Sequence, residues 1–400
     1  LIQSSAAAEF EGHRTLWHDL LSRRSWSSIF LTPEWQGIWY DQFGRDGELR
    51  LLKIGPVDAP LGLAPLMLHG DTLTFVGDTD LFDYHEFIDV APGFHEELVT
   101  CIDELPWKTL DLRSLPAFSP TLQALPPAYR TVGYDVVIEA EDVVPGVTLP
   151  ETWDEFLRAL RKKDRHELRR KLRRLEAAGA IQIVQSPRDT LEADFNLFHE
   201  LMAESREEKR DFMLPEREAF FRRITEWAND AGFLRLFFLE IDGERVATAL
   251  SFDYDGRRLL YNSGYRLAHG GLAVGLMLKA LCIKDAIERG MTYFDFLRGP
   301  EPYKYHLGGR DIGLHLPTHT FAGYDDGIFG KRFVLRSVLA CRRCGIDILC
   351  EGRRGERNGQ RKCGNTGEIV HGMRCDPVSI LFRPRQHGWT RRSRQARNVG

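Results

Sequence analysis

The alternation and clustering of apolar positions divide the chain into helical and extended stretches, most clearly between Tyr261 and Gly309. Leu259 to Tyr265 carries the β-forming residues of a strand, which His269-Gly270-Gly271 ends. From there Leu272, Val274, Leu276, Leu278, Leu281, Ile283 and Ile287 come too densely for a helix with one buried side. Such a helix is predicted to pack between a sheet and a further layer. Gly290 is its predicted stop, with Arg289 favourably placed in the last turn. Met291 to Leu297 then reads as a short apolar strand. A strand–helix–strand unit follows, with parallel strands and a right-handed crossover.

Upstream, Leu234–Ile241, Val246–Tyr254 and Leu259–Tyr265 predict a three-stranded antiparallel meander. Asp242-Gly243 and Asp255-Gly256 mark its two hairpin turns. Trp153 to Ala178 predicts one long helix, opened by the capping box Thr152-Trp-Asp-Glu155 and stopped by Gly179. Ile181 to Val184 reads as a strand, and helices are predicted over Leu191 to Lys209 and Glu216 to Asn229. Near the start, Trp17, Leu20 and Leu21 share a helix, and Pro33-Glu34-Trp35 opens another. Short strands are predicted at Leu49–Ile54, Leu61–Leu68, Thr72–Val76, Phe87–Val90 and Thr109–Arg113.

With 400 residues, 43% of them apolar, the chain is long enough for two domains with cores of their own. The net charge of −4 hides an uneven distribution. From Lys331 onward 17 Lys or Arg face 5 Asp or Glu, and five of the seven cysteines lie there. The expected division is therefore residues 1–145, residues 146–325 and a basic, cysteine-containing, disordered tail over 326–400. The catalytic core reads as complete by Tyr324. Cys341, Cys344, Cys350, Cys363 and Cys375 offer the ligands of a small zinc module, but they do not form two clean pairs. The segment also has too few apolar residues for a core, so disorder is the expectation and no metal is expected. No apolar run reaches membrane-spanning length, and Leu1 to Phe10 has no basic segment followed by an apolar core. The expected location is the cytoplasm.

Two regions carry candidate chemistry. At the turn, Gly270 and Gly271 allow positive φ and close approach of a ligand. The N–H groups that follow, from Leu272 and Ala273, open a helix suited to an anion such as a pyrophosphate. The alternative is a helix that merely starts after a tight turn. The second region is Arg158 to Arg174, with ten Lys or Arg against Asp164 and Glu167. It is either a solvated face or a surface for an anionic partner. Asp295 sits in Phe-Asp-Phe, its side chain opposite to both neighbours, and is either structural or turned toward a cleft. Lys304 is a candidate oxyanion or phosphate ligand, or a surface lysine between two packing tyrosines. Tyr303 and Tyr305 are candidate proton donors, and His269 either touches a phosphate or is simply exposed.

Gly271 with the helix after it, the stretch Phe294 to Gly299 (FDFLRG) and Pro302 to Gly308 (PYKYHLG) carry a family resemblance. They resemble the acyl-CoA-binding core of the GNAT superfamily of N-acyltransferases. More narrowly they resemble the CelD-type acetyltransferase-like domain, a relative of the FemABX aminoacyl transferases. The first half, with Gly62-Leu-Ala-Pro65-Leu, Thr74-Phe-Val-Gly77 and Asp83-Tyr84, is similar to the N-terminal half of the CelD-type proteins. The resemblance implies an α/β fold with mixed sheets, built as tandem GNAT-like domains with the acyltransferase core second. It also implies transfer of an acyl group to an amine or hydroxyl acceptor from an acyl-CoA donor held by His269, Gly270, Gly271, Leu272 and Ala273, with catalysis by Asp295, Lys304, Tyr303 and Tyr305. The phrase LRKKDRHELRRKLRRLEAAG, Leu160 to Gly179, resembles a FemABX helix in which basic residues hold a phosphorylated acceptor. That places Arg165, Arg169 and Arg173 against an anionic or amino-sugar acceptor, with polysaccharide or cell-envelope synthesis as the setting. The alternatives are a donor of the aminoacyl-tRNA type, the one case that brings in a nucleic acid, and a non-catalytic scaffold of polysaccharide assembly.

Overall fold

The computed structural model describes residues 6–131, 133–179, 181–311 and 332–339. The five tail cysteines and Tyr324 lie outside the described residues. Two seven-stranded mixed sheets carry the fold. In the first lobe the chain forms α1 (Ala6–Ser22), α2 (Pro33–Phe43), β1 (Glu48–Ile54), β2 (Gly62–His69), β3 (Thr72–Phe75) and β4 (Ile88–Asp89). It continues through α3 (Phe94–Asp103), β5 (Thr109–Pro116), α4 (Pro120–Thr131) and β6 (Asp135–Val143). The second lobe opens with β7 (Pro145–Thr148), α5 (Trp153–Ala159), α6 (Lys162–Glu176) and β8 (Ile181–Gln185). Three helices follow, α7 (Leu191–Ser205), α8 (Glu207–Phe212) and α9 (Pro215–Asp230). The meander is β9 (Leu234–Ile241), β10 (Glu244–Tyr254) and β11 (Arg257–Tyr265). Then come α10 (Val274–Glu288), β12 (Tyr293–Asp295), α11 (Pro302–His306), β13 (Arg310–Asp311) and β14 (Arg332–Leu339).

The meander forms as its Asp-Gly turns dictate. Asp242 and Gly243 have φ of 51° and 84°, and Asp255 and Gly256 have 50° and 69°. Two positive φ values in a row give the turn whose twist matches paired antiparallel strands. The second sheet runs β13-β7-β12-β11-β10-β9-β8, with β11 and β12 parallel across the α10 crossover. Gly290, at φ 75°, ends α10 as a left-handed stop, and Met291 N–H returns to the Ala286 carbonyl.

Three apolar clusters order the layers. One lies between the first sheet and α3 and α4. Another lies between the second sheet and α5, α6 and α10. The largest is shared, with α1, α2, α7 and α9 filling the space between the sheets. Trp35 is wholly buried there against Phe30 and Phe82 of one lobe and Phe220, Phe252 and Tyr261 of the other. A core of this kind joins the lobes as a domain interior does.

Two expectations are corrected. The helix expected from Trp153 to Ala178 is two helices. Leu160 and Arg161 are both extended, with ψ of 148° and 143°. Asp164 supplies an acid in the first turn of α6 and ion-pairs with Arg161 at 2.5 Å. The apolar positions on either side keep one helical phase, so their periodicity carries no sign of the break. The second correction concerns residues 332–339, read as tail. They form β14, which pairs in parallel with both β5 and β6 inside the first sheet. The run Phe-Val-Leu-Arg-Ser-Val-Leu is rich in β-forming residues, and without it β5 and β6 have no partner between them.

Candidate active site

Parallel strands that part company leave a crevice at their C-terminal ends. Here β11 and β12 pair only through Arg257–Tyr293, Arg258–Phe294 and Leu259–Asp295. Beyond that point β11 runs on to Tyr265, bonded to β10 alone. A bulge adds one residue, Tyr261, to β11 opposite the Leu250–Ser251 step. What turns β12 away is Asp295. Its Oδ1 accepts the Leu297 N–H at 2.9 Å, holding Leu297 at φ 57°. The chain then leaves the sheet as a loop that ends in α11.

Lys304 secures that loop. Its ammonium donates to the carbonyls of Leu297, Arg298 and Gly299 at 2.9, 2.6 and 3.0 Å and ion-pairs with Glu301 at 2.8 Å. Only 2% of it is exposed. Asp295 is as deeply buried, and its Oδ2 accepts the Tyr84 hydroxyl of the first lobe at 2.8 Å. Burial above all pushes its carboxyl up to about 6. Further along the loop, Arg298 reaches Glu141 and Ser114 of the first lobe, and its N–H meets Asp83. Phe294 and Phe296 point the other way, into the core under α10.

Two further lysines enter the crevice, and sequence reading passed over both. Lys209 on α8 donates to the Asn262 side chain at 2.9 Å and to the Ser263 carbonyl. Lys279 on α10, 9% exposed, donates to the Gly275 carbonyl at 3.2 Å and lies 4.8 Å above the Tyr303 ring. Loss of hydration, reinforced for Lys209 by the neighbouring Lys279, lowers the two ammoniums to about 7 and about 8 respectively. They stand 70 positions apart in sequence, each isolated among unrelated neighbours, so only the fold reveals them as a pair.

The other predicted residues are spread more widely. Tyr303 packs edge-on against Phe296, and burial pushes its hydroxyl up. Tyr305 donates instead to Asp311 at 2.8 Å. His269, Gly270, Gly271 and Leu272 lie in a short 3-10 turn before α10. The expected positive φ is not at either glycine but at Ala273, at 56°. A side chain added at Gly270 or Gly271 would meet nothing within 4 Å. The reason is that the turn winds as a right-handed helix, and the reversal into α10 falls one residue later. Arg165 donates to the Arg158 carbonyl, while Arg169 and Arg173 lie along α6 toward solvent. Helix α6 touches both the turn and α10, so its cations border this end of the crossover.

A cavity of about 920 Å³ opens at the opposite end of the strands, between Trp26, Phe118, Leu149, Phe156, Arg257 and Tyr293. Its walls are largely apolar, and the residues predicted for catalysis do not line it. The crevice, with its converging polar groups, is the better candidate.

The match to known proteins falls on this region. Residues 162–305 match the family model of the acetyltransferase (GNAT) domain. The chain carries a GNAT domain. It begins with α6 and ends within α11, so the parting strands, both crevice lysines and Lys304 lie inside the GNAT domain. Among solved structures, FemX shares the fold across both lobes, with a TM-score of 0.52 and 13% identity over 74% of this chain and 92% of that one. A conserved protein of unknown function from Bacteroides thetaiotaomicron aligns at a TM-score of 0.46 and 12% identity, over 74% of this chain and 92% of that one. A tandem GNAT protein from the clavulanic acid biosynthesis pathway aligns at 0.38 and 14%, over 75% and 91%. No curated protein matches the chain in sequence. Among the described residues, no group of His, Cys, Asp and Glu could hold a metal ion, and no helix is long and apolar enough to cross a membrane.

Proposed function

We propose that the protein is an N-acyltransferase that moves an acyl group from acyl-CoA to an amine. The observation that carries this reading is the β11–α10–β12 crossover, whose strands part after Leu259–Asp295 inside the GNAT domain. Past Leu259 the outer edge of β11 pairs with no strand, and apart from Ser263, whose N–H and C=O are held by Asn262 and Lys209, it is open to an extended ligand added as a strand. At the head of α10, Ala273 is left-handed and the first helical N–H groups have no partner within the helix. That turn, with His269, Gly270, Gly271 and Leu272, is the proposed seat of the donor's pyrophosphate.

In the transfer, the amine nitrogen bonds to the thioester carbonyl carbon, the C–S bond breaks, and the departing thiolate takes a proton from an acid in the site. The proton that the nitrogen sheds returns to that acid by way of solvent. Tyr303 keeps its proton under burial and is the proposed donor to the thiolate, while Tyr305, whose hydroxyl donates to Asp311, is the second proposed donor. Lys304 and Asp295 act by holding the loop after β12 in place, because the polar atoms of both are already engaged. Arg165, Arg169 and Arg173 are the proposed surface for an anionic or amino-sugar acceptor, as the resemblance of this helix to that of the FemABX proteins suggests. Aminoacyl transfer from tRNA is the second reading, favoured by the solvent-facing cations along α6.

Calorimetry with a panel of acyl-CoAs, followed by thiol release in the presence of amines, tests the first reading. Gly271→Val is the sharpest variant. Since open space surrounds Gly271, the variant should fold as the parent does. A fall of tenfold or more in acyl-CoA affinity would place the donor at this turn, and an unchanged affinity would remove it.

A further inference from the structure

Lys209 and Lys279 are unusual in what they lack. Lys279 is buried and Lys209 half-buried, yet the partners of both are neutral: an amide oxygen and a carbonyl for Lys209, a carbonyl and an aromatic face for Lys279. Among the described residues neither forms an ion pair with a carboxylate. Glu301, an acid whose charge reaches both lysines, is ion-paired with Lys304. Arg206 adds a further positive charge to the surroundings of both lysines. Buried charges are ordinarily paired, because an isolated ion in the interior loses its hydration with nothing to replace it.

The two side chains also arrive from opposite sides. Helix α7, which leads into α8, packs on the face of the second sheet that meets the shared core. Helix α10 packs on the other face. Their lysines come toward each other only because β11 and β12 have separated. An ammonium has three N–H donors, so Lys209 and Lys279 each keep at least one for a ligand after their present bonds. Lys304, with four acceptors around it, keeps none.

We propose that Lys209 and Lys279 form a binding site for a small oxyanion, a carboxylate or a phosphoryl group carried by one of the substrates. It rests on the acyltransferase reading only for which molecule brings the anion there. With the anion bound, each lysine gains the counter-charge it lacks, and Asn262 and Tyr303 complete the lining. An acceptor amine that carries a carboxylate or phosphate close by would thereby be drawn to the mouth of the free β11 edge.

The test titrates succinate and, separately, inorganic phosphate into the intact protein at pH 8.5, in two buffers of different ionisation heat. At least one of the two should bind with uptake of protons, since neither lysine is fully charged at that pH without its anion. Succinate alone would assign the site to carboxylates, and phosphate alone to phosphoryl groups. Lys209→Met and Lys279→Met should each weaken binding tenfold or more and diminish the proton uptake. Lys209→Arg should restore much of it, and Lys284→Met, on the same helix as Lys279, should change nothing. If Lys279→Met fails to fold by circular dichroism, Lys209→Met on the partly exposed α8 carries the mutational test. The proposal is overturned if neither anion binds, if sodium chloride at equal ionic strength produces the same heats, or if folded variants bind as the parent does. Acetyl-CoA titrated into the same samples separates the two claims. Acetyl-CoA binding without anion binding removes the oxyanion site alone, and the reverse result removes the acyl-CoA reading alone.

Discussion

Positive charge is held in two ways in this protein. Helix α6 keeps it in water, where Arg169, Arg170 and Arg174 are among its solvent-facing cations and Glu167 pairs with Arg170 and Lys171. The crevice keeps it out of water, on Lys209, Lys279 and Lys304. The first region is conspicuous in sequence and its individual pairs are worth little, since exposed ion pairs contribute at most about 1 kcal/mol. The second is inconspicuous, and each of its ammoniums weighs heavily because few competing dipoles surround it. Number of charges and energetic consequence thus run in opposite directions.

The largest test of that contrast is Lys304→Met. It keeps the stem but leaves three carbonyls and Glu301 without their cation, so it should destabilise the fold by about 4 kcal/mol. The urea midpoint measures this, and a midpoint within error of the parent would show that Lys304 does not hold the loop. Asp295→Asn comes next. A carboxyl raised from 3.8 to about 6 favours the folded state while protonated. Its contribution is full below about pH 4 and is lost as pH climbs through 6, a change of as much as about 3 kcal/mol. The difference between parent and variant stability, followed from pH 4 to 7.5, should trace that loss. A flat difference would mean that Asp295 titrates normally.

Lys209→Met should act with the opposite sign and over a wider span of pH. Its folded value of about 7 lies below the ordinary 10.5, so the unfolded chain binds more protons between them. Parent stability should therefore gain from rising pH above 7, and the variant should lose that gain. The smallest effect belongs to α6. Replacing Arg165, Arg169 and Arg173 together with Gln should shift stability by no more than about 1 kcal/mol. If the helix serves an anionic acceptor, the same triple variant should weaken acceptor binding and flatten its salt dependence. A large loss of stability would instead make α6 a structural element and erase the contrast.

What sequence reveals follows the range of the interactions concerned. The Asp-Gly turns and the Gly290 stop are local and form as read, and half of the capping box does too. The Thr152 hydroxyl accepts the Glu155 N–H, while the Glu155 carboxylate accepts that hydroxyl and not the backbone N–H. Helix α4 escaped because Pro126 and Pro127 sit inside it, two residues that ordinarily argue against a helix. The pairing of β14 with β5 and β6 joins segments about 200 residues apart, and no spacing rule reaches that far. The crossover and the turn before it were legible as a candidate site, although the left-handed residue proved to be Ala273. The crevice lysines were not, because sequence gives the sign of a charge and says nothing about its depth.

The position of β14 bears on how the protein is made. Its strand lies between β5 and β6, yet it emerges only after the whole second lobe has been synthesised. A ribosome working from the N-terminus therefore releases a first sheet that has a gap in its middle, while every described strand of the second sheet is already available. The N-terminal lobe, first to be translated, is the last to close, and its closure depends on contacts of high sequence separation, which form slowly. Until then the facing backbone edges of β5 and β6 are open to the wrong strand. A chain cut after Arg336 would retain only Arg332 to Arg336 of β14, and its expected fate is association through that gap rather than a smaller folded protein.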